Sequence, residues 1–312
     1  MKIAIIGAGN VGATIAYTLA TGGVASDVSL IDLNTDKAYG EILDIAHGGA
    51  VSEQVNLRAE GYEGLEDADL IVHAAGRGRK PGESRLDLAK GNIKITENII
   101  GKVKKHYNGR SLILVVTNPM DILTYVCYKR MGIDKSRIFG SGTVLDSSRF
   151  KYLLCSHFKI SPRNLHAIVI GEHGDSAVPF WSMASIGPVL LSDYPSREQP
   201  RLSAEDRARI SADVVQAGQE VIKRKGATFY AISMSVTRII KAVANDENRL
   251  LCVSSYIENL HGVDDVCLSL PAIVGKDGIR EILALPLSPD EKAALQRSAA
   301  ALKAMLREVE YQ

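Results

Sequence analysis

The chain has 312 residues, 46% of them apolar and 23% charged, ordinary globular usage at a length that suits two domains or one large α/β domain. Lysine and arginine number 37 against 36 acids, a formal charge of +1, which gives no electrostatic footprint for nucleic acid or an anionic membrane. Cys127, Cys155, Cys252 and Cys267 lie far apart without a CxxC pair, and no run reaches the roughly 18 uninterrupted apolar residues of a membrane span, so a soluble cytoplasmic protein with reduced thiols is expected.

Residues 2–6 form a β-branched run that leads directly into glycines, and it reads as a buried strand rather than a signal peptide. A helical pattern follows over 11–21, then a strand at 28–31 and a helix at 37–46. Strands at 70–74 and 112–116 flank a helix over about 86–106. Continuous apolar runs joined by helical crossovers predict a Rossmann-type, doubly wound parallel α/β sheet. After about residue 142 the rhythm changes to a helix at 144–158, a strand at 165–170, a Gly- and Pro-bearing stretch to 200, and helices at 204–223 and 228–244. Strands at 251–257, 266–274 and 279–285 precede a last helix opened by Ser288-Pro289-Asp290-Glu291, a serine cap with proline at the first helical position. This predicts a doubly wound α/β domain over 1–142 and a mixed α+β domain over 143–312.

Gly7-Ala8-Gly9-Asn10-Val11-Gly12 is GxGxxG set after a strand and before a helix. The first glycine permits the tight turn, the second admits a pyrophosphate, and the third lets helix and strand approach. The amides of Asn10 and Val11 open a helix whose dipole favours the phosphates. Asp32 ends the second strand twenty residues past Gly12, where an acid binds a ribose 2′-hydroxyl and repels a 2′-phosphate, so NAD is expected over NADP. The competing reading is a structural turn with a surface aspartate.

Three polar segments adjoin apolar strands. Gly76-Arg77-Gly78-Arg79-Lys80-Pro81-Gly82-Glu83-Ser84-Arg85 follows a strand's C-terminal end and reads either as a loop that closes on an anionic ligand or as a solvated basic loop. Asp146 and Arg149 are three apart and share a helix face, as a surface ion pair or as a functional couple. His173 in Gly171-Glu172-His173-Gly174-Asp175 lies at a strand end, either as an acid/base group or as a structural histidine. The seven histidines are scattered, with no HExxH, so no metal site is expected.

In order along the chain, GAGNVG, IDLN, KPGESRLDL, VTNP, GTVLDSSR, GEHGDS and KGATFYAI resemble the L-lactate/L-malate dehydrogenase family over nearly the whole length. The resemblance implies that His173 exchanges the substrate proton, with Asp146 on its far ring nitrogen, raising its pKa toward the working pH. It implies that Arg149 clamps the substrate carboxylate with its planar fork. Arg85 would polarise the keto oxygen and Asn118 would contact nicotinamide and that oxygen. NADH would reduce a small 2-keto acid to the L-2-hydroxy acid in a homo-oligomer, a dimer or a tetramer as in the family.

The family's substrate selector lies six residues before the loop arginine, at Arg79. Arginine there matches the malate enzymes, and in a closed pocket an arginine facing a methyl group would leave a buried charge unpaired at about 2–5 kcal/mol. Ile45-Ala46-His47-Gly48, Trp181 and Thr228 look instead like the lactate branch, Thr228 crowding a longer substrate. The expectation is a lactate-branch enzyme that accepts a second carboxylate, with a dedicated malate dehydrogenase as the alternative. A non-catalytic NAD-binding regulatory protein on the same fold is the competing class. In family members activated by fructose 1,6-bisphosphate, two cationic positions meet at a subunit interface, and here they are Lys151 and His166. Lysine there keeps the charge but loses arginine's fork.

Overall fold

The computed structural model describes residues 1–78, 82–194 and 201–311. Its first half runs β1 (Lys2–Ile6), α1 (Asn10–Gly22), β2 (Asp27–Ile31), α2 (Thr35–His47), β3 (Asn56–Ala59), β4 (Leu70–His73), α3 (Arg85–His106), β5 (Leu112–Val115), α4 (Met120–Met131) and β6 (Ile138–Gly140). The helix α5 (Val144–Phe158) leads into the short strands β7 (Leu165–His166), β8 (Val169–Ile170), β9 (Val178–Pro179), β10 (Ser185–Ile186) and β11 (Val189–Leu190). The chain finishes with α6 (Ala204–Lys225), α7 (Tyr230–Ala244), β12 (Arg249–Ile257), β13 (Val266–Gly275), β14 (Gly278–Ile282) and α8 (Pro289–Glu308).

Strands β3-β2-β1-β4-β5-β6 lie side by side in that order, all parallel. The strand period of two sends alternate side chains to opposite faces. Ala4 and Ile6 of β1 therefore join a core with Ile93, Ile100 and Val103 of α3, Leu123 of α4 and Leu295 and Leu302 of α8. Ile3 and Ile5 join a second core with Ile15 and Leu19 of α1, Ile42 of α2 and Val236 and Ile240 of α7. Both faces are covered, which is why β1, β4 and β5 read as unbroken apolar runs. Each such side chain, fully removed from water, stabilises the fold by roughly 1.5–3 kcal/mol.

The C-terminal half adds to this sheet instead of building one apart. Ser254 of β12 pairs antiparallel with Gly140 of β6, and β12-β13-β14 continue as an antiparallel meander to give nine strands. A third core joins Phe150, Leu154 and Phe158 of α5 to Ile210 and Val214 of α6.

The element order departs from the expected one in several places. The strand expected over 165–170 is split: β7 pairs with β10, β8 pairs with β9, and Gly171 bridges Ser269 of β13. The chain changes sheets at Ala167–Ile168, which an apolar run cannot signal. The edge strand β3, the helix α4 and the three-residue β6 were not anticipated. Met120 to Cys127 in α4 are all buried, so no amphipathic stripe marks that helix.

All six parallel strands end at one edge, and their C-terminal loops bring together Gly7, Asp32, Arg77, Asn118 and Thr143. The order reverses between β1 and β4, and that crevice is where open α/β sheets hold ligands.

Candidate active site

A cavity of about 470 Å³ fills that crevice, lined by Gly7, Gly9, Asp32, Tyr62, Ala75 and Lys102 among others. Gly7 has φ +111, and a Cβ there would meet the backbone of Ala75 at 2.6 Å. A Cβ on Gly12 would lie 1.8 Å from the Gly7 carbonyl oxygen, so β1 and α1 approach only through glycine. A Cβ on Gly9 would meet nothing within 4 Å; the room kept there belongs to the cavity. Helices α3, α6 and α8 begin with serine capping boxes at Ser84, Ser203 and Ser288, whereas α1 begins at Gly9 with no side-chain cap. The first amides of α1 are thus not claimed by a cap, which fits a phosphate seated over Asn10 and Val11.

Asp32 lines the same cavity, with its carboxylate already partly engaged. Oδ2 accepts from the Ala8 amide at 2.7 Å and Oδ1 from the Asn34 amide at 2.9 Å. It braces the glycine turn, and a carboxylate's further lone pairs remain for hydroxyl donors.

Across the sheet edge, α5 presents Asp146 and Arg149 on one face, one turn apart. Asp146 is 4% exposed. Its Oδ2 lies 2.6 Å from Nδ1 of His173 and its Oδ1 accepts from Nη1 of Arg149 at 3.0 Å. One buried carboxylate therefore fixes both cations. Burial opposes charge on His173, yet Asp146 outweighs it and holds the imidazole above its ordinary pKa. Burial likewise works against the Asp146 carboxylate, but His173 and Arg149 together keep it below the usual range. On its other side Arg149 lies beside Gly218 of α6, 3.5 Å from where a Cβ would stand.

The turn carrying His173 is held from below by a residue that the sequence did not single out. The backbone amide of His173 donates to Oδ2 of Asp121 at 2.7 Å, and Ser254 donates its hydroxyl to Oδ1 at 2.6 Å. Burial pushes Asp121 up to about 7, against the pull of those two hydrogen bonds. A carboxylate inside the apolar run Met120 to Cys127, three residues past Asn118, was the available signal.

Arg85, the first residue of α3, pairs with Asp175 in the same turn, Nη2 to Oδ1 at 2.7 Å. Asn118 is exposed beyond β5, its carbonyl accepting from Asn92 at 2.6 Å. Thr228 is half-buried in the link between α6 and α7. Arg79, the expected substrate selector, lies outside the described residues.

Lys151 and His166 are placed differently from one another. Lys151 lines a cavity of about 330 Å³ between α5, α7 and β12 together with Arg249, and burial, reinforced by Arg249, holds its amine below the usual lysine value. His166 is exposed on β7 and does not line that cavity. Among the described residues, no helix is long and apolar enough to cross a membrane, and no group of three or more His, Cys, Asp and Glu is placed to hold a metal ion.

Residues 1–140 match the family model described as lactate/malate dehydrogenase, NAD binding domain, and residues 143–312 the one described as lactate/malate dehydrogenase, alpha/beta C-terminal domain. The chain is 47% identical over 309 residues to an L-lactate dehydrogenase of Thermoanaerobacter sp. (strain X514), covering 99% of both chains. Its fold is similar to the crystal structure of MGS-M5, a lactate dehydrogenase from a Medee basin deep-sea metagenome library, with TM-score 0.95, 36% identity and 99% of each chain covered. It is also similar to the minor L-lactate dehydrogenase from Enterococcus mundtii, with TM-score 0.94 and 40% identity over 98% of this chain and 97% of that one. Matches over both halves of the sequence, on a crevice shaped for a dinucleotide, show that the chain belongs to the lactate/malate dehydrogenase family and is an NAD-dependent 2-hydroxy acid dehydrogenase.

Proposed function

We propose that the protein is an L-lactate dehydrogenase that interconverts pyruvate and L-lactate and takes oxaloacetate as a second substrate. The observation that carries the reading is the single buried carboxylate of Asp146 holding both the His173 imidazole and the Arg149 guanidinium. Relatives sharing 43–47% of residues over nearly the full chain are named L-lactate dehydrogenase, which favours pyruvate. Arg79 favours the second carboxylate.

The residues divide the work as follows. Gly7, Gly9 and Gly12 with the start of α1 would hold the dinucleotide pyrophosphate, and Asp32 the adenosine ribose. When bound, NADH supplies the hydride. His173, with Nδ1 committed to Asp146, keeps its proton on Nε2 and delivers it to the keto oxygen. Asp146 stabilises the imidazolium before transfer and so favours the protonated form. Arg149 grips the C1 carboxylate with its free fork edge, fixing which face of the keto carbon is presented. Arg85 moves from Asp175 to the keto oxygen as negative charge develops there. Asn118 orients that oxygen, and Thr228 limits the length of the substrate's side chain. The set has no gap at any of these positions, which speaks against a non-catalytic NAD-binding protein.

The test compares kcat/KM for pyruvate and oxaloacetate by NADH oxidation in the native protein and in Arg79→Gln. Pyruvate is expected to be preferred, with oxaloacetate turnover lost in the variant. A preference for oxaloacetate that reverses in Arg79→Gln would make the protein a malate dehydrogenase. We also propose a homo-oligomer in which Lys151 and His166 contribute to an effector-phosphate site for fructose 1,6-bisphosphate. A pyruvate saturation curve unchanged by the sugar bisphosphate would remove that proposal.

A further inference from the structure

We propose that Ser298, on the last helix, is a positioning residue for His173, an inference that rests on the reading of His173 as the acid/base group. Ser298 is 0% exposed and lies on α8, more than a hundred residues from the turn it touches. Its Oγ accepts the backbone amide of Glu172 at 2.8 Å and lies 3.1 Å from Oγ of Ser176. Ser176 Oγ in turn hydrogen-bonds Oε2 of Glu172.

The direction of each bond follows from one contact, the Ser176 hydroxyl donating to the Glu172 carboxylate. Ser176 must donate to Glu172, so it accepts from Ser298. Ser298 spends its one hydroxyl proton on Ser176 and is left to accept from the Glu172 amide. The three bonds make a closed ring that begins and ends on Glu172, the residue before His173. No member has a spare donor, so removing either serine leaves a polar group of the ring without its partner.

The ring also explains the glycine that opens the turn. Gly171 has φ +86, and a Cβ there would come within 2.8 Å of Ser298 Oγ. The backbone passes this close to the hydroxyl because the residue has no side chain. Consecutive amides, of Glu172 and His173, are thus fixed by side chains from two separate helices, Ser298 on α8 and Asp121 on α4. The same helix holds the far end of the loop through Glu291, which accepts from the Ser182 amide at 2.9 Å and its hydroxyl at 2.7 Å. Among the described residues, that second anchor's hydrogen bonds reach Ser182 and Ser288 and not the His173 turn.

The experiment is steady-state pyruvate reduction with NADH in Ser298→Ala, Ser298→Thr, Ser176→Ala and Ser182→Ala, alongside His173→Asn, with thermal midpoints and NADH fluorescence titrations for each. Ser298→Ala is expected to lower kcat roughly tenfold, with KM for pyruvate and Kd for NADH within about twofold of native. Ser298→Thr, which keeps the hydroxyl, is expected to recover most of that loss. Ser176→Ala breaks the same ring at a less buried point and is expected to show the same split at smaller size, so it decides the matter if Ser298→Ala does not fold. Ser182→Ala is expected to lower the midpoint without changing kcat. Native kcat in Ser298→Ala or Ser176→Ala, or an equal kcat loss in Ser182→Ala, would overturn the inference. Should His173→Asn keep native turnover, the acid/base reading itself falls, whereas an inactive His173→Asn beside a fully active Ser298→Ala sinks the positioning role alone.

Discussion

Arg85 and Asp175 are paired across 90 residues of sequence, Nη2 to Oδ1 at 2.7 Å, so the first residue of α3 is held against the turn that carries His173. Their side chains are 48% and 67% exposed, and a pair this wet stabilises a fold by no more than about 1 kcal/mol. Its consequence is electrostatic: Asp175 puts a negative charge beside the guanidinium proposed to meet the substrate. Asp175→Asn should leave the thermal midpoint nearly unchanged. Removing the charge should favour the dianion over the monoanion by about 1 kcal/mol, roughly fivefold in the oxaloacetate-to-pyruvate ratio of kcat/KM. A ratio that does not move would place Asp175 out of reach of the substrate.

The coupling of Asp146 to His173 makes a prediction in pH. On the proposed mechanism pyruvate reduction needs the protonated imidazole, so its kcat/KM should be full at low pH and fall as pH rises through the pKa of His173. Asp146 holds that pKa above the ordinary value. Asp146→Asn removes the largest stabilising charge and leaves Asp121 alone to oppose burial, so the descending limb should move to lower pH. The variant should also lose about a hundredfold or more in kcat/KM at neutral pH, since the correct tautomer is no longer enforced. A descending limb at the native position would show that Asp146 does not set the titration.

His73 gives a second pH effect, on stability. It is buried in β4, its Nε2 lies 2.9 Å from Thr96 Oγ1, and its Nδ1 has no hydrogen-bond partner among the described residues. Burial pushes its pKa down to about 4 from 6.5. Between these values the unfolded chain binds a proton that the folded chain does not, so stability is full above about 6.5 and declines as pH falls toward 4. At pH 5 the loss from this one group is about 2 kcal/mol. Urea unfolding at pH 7 and pH 5 should show it, and His73→Asn should narrow the difference between the two. An equal difference in the variant would assign the acid sensitivity to other groups.

The fold was legible where local signals agreed with tertiary placement. Ile3 and Ile5 face one core and Ala4 and Ile6 the other, so β1 could only read as a strand buried on both sides. Gly7, Gly9 and Gly12 announced the turn because each meets a different steric demand. What failed to register was set by partners far away in sequence. β3 has an exposed-intermediate alternation and owes its existence to pairing with β2. The extension of the sheet through Ser254 and Gly140 depends on a contact 114 residues apart that no local pattern encodes. At the site, Asp146, Arg149 and His173 stood out as polar groups beside apolar strands, whereas Ser298 reads as one small residue in an ordinary amphipathic helix. Asp121 was readable in principle, as a lone acid in an apolar run, but its task became apparent only with the His173 amide in place.

Asp121 ties α4 to the His173 turn and to β12, and its two oxygens have different donors: a backbone amide at one and the Ser254 hydroxyl at the other. Asp121→Ala deletes both acceptors and leaves a buried amide and hydroxyl unpaired, each costing about 1–3 kcal/mol. Asp121→Asn is gentler, because its amide oxygen can still accept from the His173 backbone while Ser254 turns its lone pair toward the new NH2 group. The order of thermal midpoints should therefore be native, then Asn, then Ala. Their activities should follow the same order, for the amide that fixes the imidazole keeps its acceptor in Asn and loses it in Ala. The charge separates the two effects further. A nearby carboxylate also helps to hold His173 protonated, so Asp121→Asn should bring the descending limb of pyruvate reduction to somewhat lower pH even though the hydrogen bond survives. An Asn variant with native kcat and a native pH profile would reduce Asp121 to a structural tie, with no part in setting the state of His173.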